Sequence, residues 1–192
     1  MATPITAFTL PELSLPLKAV GSSGCKMAFA KGTPLFSLPP LTAPFGSKKW
    51  DDGLPKPPNG GGGERSSLPK LVLSIDDPAA QGALEQLEAA AQAWVTQHSA
   101  EVLGGQKTLG IVTALGYEVV KPGKDNYPPT LTLKLGKDAP DIPPRSVVTA
   151  DQVAMRGVWV AGGRWGISLI ASHLSIQKAD PRAELAEYAF LD

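Results

Sequence analysis

Aromatic and cationic side chains are interleaved along this 192-residue chain. Trp50 follows Lys48 and Lys49, Tyr127 lies between Lys124 and Lys134, and Trp165 follows Arg164, with Arg156 upstream. Unpaired nucleic acid needs both kinds of residue. Ring faces stack on bases, each worth about 1–3 kcal/mol, while cations track the phosphates. Trp50, Tyr127 and Trp165 are therefore candidate stacking residues. Lys48, Lys49, Lys124, Lys134, Arg156 and Arg164 are candidate phosphate contacts. Each type also has an ordinary role: strand aromatics more commonly fill cores, and surface lysines are commonly just solvated.

Other chemistries find less support. There is no G-x-x-x-x-G-K-[ST], no strand followed by G-x-G-x-x-G and no H-E-x-x-H. One cysteine and two histidines cannot make an ordinary zinc set. Ser172, His173 and Asp180 have the residue types of a nucleophile, base and orienting acid, but local sequence cannot build that geometry. Asp76 and Asp77 stand before Pro78, where helix capping accounts for them better than a carboxylate pair. Cys25, in a Gly-Ser-rich stretch, reads as an incidental thiol. The expectation is a protein that is not an enzyme and needs no cofactor or metal.

Lys and Arg number 18, as do Asp and Glu, so the net charge is zero and any basic surface must be local. The end of the chain is acidic. Glu184, Glu187 and Asp192 follow Arg182 with no further cation, and Tyr188 and Phe190 lie among them. Such a tail could compete with DNA for a basic groove, dock a partner through an acidic motif, or form a short helix packed on the body. No apolar run approaches the ~20 residues of a membrane helix. No secretory pattern opens the chain, and the lone cysteine suits a reducing compartment. The expected location is intracellular, without a membrane.

Twenty glycines and 19 prolines disfavour a helical bundle and suit short strands joined by turns. Residues 1–20 lack periodicity and read as a flexible N-terminal arm. Residues 27–31 suggest a first strand, and the prolines of 34–44 confine that stretch to an edge strand or extended segment. Residues 51–69, rich in Pro and Gly, read as a mobile loop. Leu71, Leu73 and Ile75 alternate on one face of a strand. Asp77 caps a helix over 78–102 whose buried stripe is Leu84, Leu87, Ala91, Trp94 and His98. Residues 109–120 suggest one strand or two short ones, and residues 130–135 another. The runs 152–160 and 164–178 flank Gly162-Gly163, a strong hairpin signal. The parity of the apolar positions changes near Ser172, which predicts a β-bulge. The result is an α+β, mainly β fold of five to seven strands in a barrel or curled sheet with one long helix. Residues 21–180 form one domain, and 181–192 are the acidic tail.

The order of several segments resembles the single-stranded DNA-binding proteins of algal and other giant DNA viruses, also met in some algal genomes and related to that of T7-like phages. The matching segments are Pro34 to Gly46, which closes on Pro44-Phe45-Gly46; Leu71 to Pro78; Tyr127-Pro128-Pro129 leading to Leu135; and the hairpin Gly157 to Leu169. Together they span roughly residues 27–178. The resemblance implies an OB-fold-like barrel with a helix inserted between strands. It implies sequence-tolerant binding of single-stranded DNA in replication, repair or recombination, in a nucleus or viral replication site. It also implies an acidic aromatic tail, which in this chain is less charged, and contact with replication proteins through it. A homodimer is one open option for assembly. The alternative is an interaction or structural barrel that has lost DNA binding.

Overall fold

The computed structural model describes residues 2–21, 24–48, 68–124, 127–136 and 139–178. In chain order the strands before the helices are β1 (Thr3–Pro4), β2 (Lys18–Val20), β3 (Cys25–Phe29), β4 (Leu35–Ser37), β5 (Pro40–Ala43), β6 (Ser47–Lys48) and β7 (Lys70–Ser74). Helices α1 (Pro78–Gln97), α2 (Ser99–Val102) and α3 (Leu109–Leu115) follow, then β8 (Val120–Lys121), β9 (Thr130–Leu135), β10 (Ser146–Ala161) and β11 (Arg164–Gln177). The fold is mainly β, with one mixed sheet and one long helix. No helix among the described residues is long and apolar enough to cross a membrane.

The pairings run β10–β11–β9–β7–β5, and β5 pairs again with β10. Within this circuit β9 and β11 are parallel and the other neighbours antiparallel. Leu71 and Leu73 of β7 and Leu131, Leu133 and Leu135 of β9 all point to the interior and are fully buried. Burying a leucine contributes about 1.5–3 kcal/mol relative to leaving it exposed. Five of them therefore fix the β7–β9 register, because a one-residue slip would turn the slipped strand's set outward. Phe36, Leu41, Val148, Val153, Met155 and Val158 complete the same core.

The expected hairpin is the largest element. Gly162 and Gly163 have φ of 57° and 76°, both in the left-handed region that a tight two-residue turn requires. Ser172 is the extra residue of a bulge, since Gln152 faces His173 while Val153 faces Ala171. Two further irregularities, at Asp151 and Arg156, let the 16-residue β10 bend from one partner to the next. It pairs in turn with β5, β4 and β3 along its length.

Helix α1 starts where expected, with the Asp77 carboxylate accepting from the Ala79 amide at 2.8 Å and Pro78 in the first turn. Its buried face is Ala80, Leu84, Leu87, Ala91 and Val95. Trp94 and His98, expected on that stripe, lie at its margin and pack on each other with ring centres 4.8 Å apart. After Ala91 the stripe steps by four, which selects Val95.

Three expectations are corrected. The N-terminal residues are not a free arm: β1 pairs with β4, β2 with β3, Leu13 bridges Ala30, and Ile5 is 2% exposed in a turn beside α1. Their anchors are too irregularly spaced to show a period. Residues 109–115 form a helix rather than a strand, although Ile111, Val112 and Thr113 favour strands. Buried Val112 and the packing of α3 on α1 override that preference. The strand count exceeds five to seven, because two- and three-residue edge strands such as β1, β6 and β8 are too short to carry an alternation.

Gly157 is the most constrained position of β10. Its φ is 141°, and a Cβ there would lie 1.9 Å from the Ala28 carbonyl oxygen, whereas a Cβ at Gly163 would meet nothing. Gly163→Ala should cost about 1–2 kcal/mol, from left-handed strain alone. Gly157→Ala should cost more, since strand β3 must also move. Thermal or urea denaturation of the two variants checks this ranking, and equal midpoints would contradict it.

Candidate nucleic-acid interface

The register that turns five leucines inward turns a basic row outward. Lys70 stands directly opposite Lys134 across β7 and β9, and Lys48 of β6 holds the register position beside Lys70. Lys70 and Lys134 are exposed, and neither has an ion-pair partner among the described residues. Further along the same face Val72 opposes Thr132, and Ser74 opposes Thr130, which in turn opposes Lys121 of β8. None of these positions carries a carboxylate, and Ser74 is itself buried. Like charges directly opposed on a sheet are destabilising, by up to about 1 kcal/mol. The leucine register outweighs that cost, and an anion lying across the row would relieve it.

Lys124 and Tyr127 lie in the connection that enters β9 at its Thr130 end, about 13 Å along the strand from Lys134 at 3.3 Å per residue. The Tyr127 amide donates to the Lys124 carbonyl at 3.0 Å, and the Tyr127 side chain is 76% exposed. The β7–β9 face thus has lysines at both ends and an exposed aromatic at one.

A second group gathers at the hairpin end. Trp159 and Gly166 are register partners on the outer side of β10 and β11, and the Trp159 ring lies over Gly166, where a Cβ would come within 2.7 Å of it. The Tyr117 ring lies 5.3 Å from that of Trp159, and the Arg164 guanidinium is 5.3 Å from the Tyr117 ring centre. Tyr117 is fixed through its backbone, its amide donating to the Trp165 carbonyl at 2.9 Å.

Trp165 is corrected as a stacking candidate. It is 2% exposed, points to the interior and donates from Nε1 to the Val112 carbonyl at 2.8 Å. Gly116 leaves room for its ring, just as Gly166 leaves room for that of Trp159. In an alternating strand Trp165 and Gly166 must take opposite faces, so the core claims the one and the surface receives the ring that crosses the other. Arg156 is exposed but is a bulge residue of β10, two strands away from β9. The structure therefore brings together Lys124 with Tyr127, and Arg164 with an aromatic pair that was not singled out, while Lys134 opposes Lys70, whose other register partner is Lys48. Lys49, Trp50, most of the 51–69 loop, and the tail residues Glu184, Glu187, Tyr188, Phe190 and Asp192 lie outside the described residues.

Lys70, Tyr117 and Trp159 are the residues that sequence reasoning passed over as site candidates. Lys70 could have been found by aligning the Leu71/Leu73 alternation against Leu131/Leu133/Leu135, which puts Lys70 and Lys134 on the opposite parity. No comparable signal links Tyr117 to the hairpin, because a parallel bridge between Gly116 and Trp165 makes that connection.

Two of the other sequence candidates have structural partners. Asp77 is occupied by its cap, and Ser172 donates to the Gln152 carbonyl at 3.4 Å within the bulge. Between α1, α3 and residues 116–122 runs a groove of about 750 Å³ with Tyr117 and Lys121 on one wall and Glu88 on the other. Glu88 accepts from the Val119 amide at 2.8 Å and from that of Val120. Partial burial raises its pKa above the ordinary carboxylate value, the two amides oppose that rise, and Glu118 and Glu85 add to it.

A carboxyl whose pKa is raised by folding holds its proton more tightly in the folded chain than in the unfolded one. Stability from Glu88 is thus greatest below its ordinary pKa and is lost as pH rises toward the raised value. Glu88→Gln should melt higher than the parent near pH 7, and the gap should close by pH 4. A variant less stable at every pH would show that the amide hydrogen bonds outweigh the desolvation.

No protein-family model matches the chain, and no curated protein matches it at a significant level.

Proposed function

We propose that the chain binds single-stranded DNA in a sequence-tolerant way, the phosphates crossing the β7–β9 face along the row of Lys48, Lys70 and Lys134. The observation that carries this reading is the direct opposition of Lys70 and Lys134, with no carboxylate at the outward register positions of β7 and β9 among the described residues. Cations held side by side without counter-charge suit a polyanion and serve no purpose in packing.

The order of the circuit supports the same reading. Numbered from β5, the strands β5, β7, β9, β10 and β11 neighbour one another in the order first, second, third, fifth, fourth and back to first, with third and fifth parallel. That is the order of an OB-fold barrel, in which oligonucleotides lie across strands two and three between the loops joining strands one to two and four to five. In this chain those strands are β7 and β9. The first of those loops is the connection between β5 and β7, and the other is the Gly162-Gly163 turn. Helix α1 enters between the second and third strands, in keeping with the resemblance to viral single-stranded DNA-binding proteins.

Binding to oligo-dT should exceed binding to a duplex of equal length. It should weaken with salt at a log–log slope of about −2 or steeper, from roughly 0.7 per phosphate for three or more contacts. Lys70→Gln with Lys134→Gln should weaken binding and flatten that slope by about 1.4, while leaving the melting temperature unchanged or higher, because a repulsive pair is removed. A double variant that binds like the parent would place the DNA on another face. Equal affinity for duplex and single strand would overturn the reading itself.

A further inference from the structure

We infer that Tyr117, Trp159 and Arg164 form a stacking slot for one unpaired base at the end of the long hairpin, separate from the lysine row. The slot deepens the proposed single-strand binding and rests on it.

Tyr117 is 50% exposed, although it is tethered on both sides by backbone contacts to β11. An exposed aromatic on a flexible loop would say little. Here the ring is held in a fixed place, with the Trp159 ring beside it at 43° and a guanidinium against it. Trp159 is itself held down by Gly166, since any side chain at that position would lift the indole off the strand. A rigid half-exposed ring costs little further entropy when a planar ligand covers it. Arg164 is exposed and sits on the first residue after the turn, so its guanidinium can leave the Tyr117 ring for a phosphate when a base arrives.

The surroundings select a base carried on a phosphate chain rather than an isolated anion. On the groove side exposed Glu118 follows Tyr117, and the lining includes two carboxylates, Glu88 and Glu118, against one cation, Lys121. On the hairpin side Arg164 stands against the Tyr117 ring. The sugar-phosphate is therefore placed on the Arg164 side, with the base turned onto Tyr117. From there the outer positions of β11 run Gly166, Ser168 and Ile170, and Ile170 is the register partner of Lys134. The slot and the lysine row thus project from the same side of the sheet, about 13 Å apart along β11 with buried Ser168 between them, a separation that a few nucleotides can span.

The test compares oligo-dT with an abasic deoxyribose-phosphate oligomer of the same length, using the full chain. The parent should prefer oligo-dT. Tyr117→Ala should lose about tenfold in affinity for oligo-dT, the scale of one stacked base, while its abasic binding and salt slope stay at parent values. Tyr117→Phe should keep the parent's preference. A Tyr117→Ala variant that retains the full preference for bases, or that loses both oligomers equally, overturns the slot while leaving the lysine row standing. A parent that binds neither oligomer overturns the proposed function and the slot with it.

Discussion

The contact on which the rest of this molecule depends is the antiparallel register of β7 against β9. Five leucines turned inward along those two strands contribute several times what an opposed pair of lysines can cost. The core therefore dictates the surface. Once Leu71 meets Leu133 and Leu73 meets Leu131, Lys70 has no choice but to face Lys134. The packing does not require that both be lysine, since threonine or glutamine would satisfy the sheet equally well. That pair of like charges is the feature on which the proposed binding of a polyanion rests.

The same economy of faces governs β11. Trp165 and Gly166 are adjacent, and alternation sends them to opposite sides. The inner side accepts the Trp165 ring, with Gly116 making room and Val112 taking its N–H. The outer side, left empty by Gly166, accepts the ring of Trp159 from the neighbouring strand. One large aromatic is thus committed to stability and the other to the surface, although both lie on the same hairpin. The two irregularities in β10, at Asp151 and Arg156, matter for the same reason. By bending, the strand offers its edge successively to β5, β4 and β3. The early strands are thereby gathered into the sheet.

Those features explain what was legible in the sequence. Asp77-Pro78, the Gly-Gly turn, the alternation of 70–75 and 130–135, and the parity change at Ser172 each act within a few residues, and a local pattern suffices to read them. The helix at 109–115 was missed because its stability comes from Val112 and α1 rather than from its own residues. The tethering of residues 2–20 was missed because each anchor pairs with a strand distant in sequence. Among the candidate contacts, Lys124, Lys134, Arg164 and Tyr127 are exposed, as residue type alone suggests. Residue type could not say that Trp165 is core while Trp159 is only partly buried on the outer face, since both are tryptophans in β-strands and only the pairing register separates their faces.

A net charge of zero looks like an obstacle to binding nucleic acid, but the distribution of charge removes it. Three described carboxylates, Glu85, Glu88 and Glu118, gather in the grooves beside α1 and residues 116–122 and occupy no outward register position of β7 and β9. At ordinary salt, charges interact over about 8–10 Å, so each acts on the phosphates closest to it. In the groove beside Tyr117, Glu88 and Glu118 outnumber Lys121. Balanced overall charge also limits long-range steering toward duplex DNA. Binding then depends on short-range contacts, in which an aromatic ring distinguishes an unpaired base from a paired one and a lysine does not.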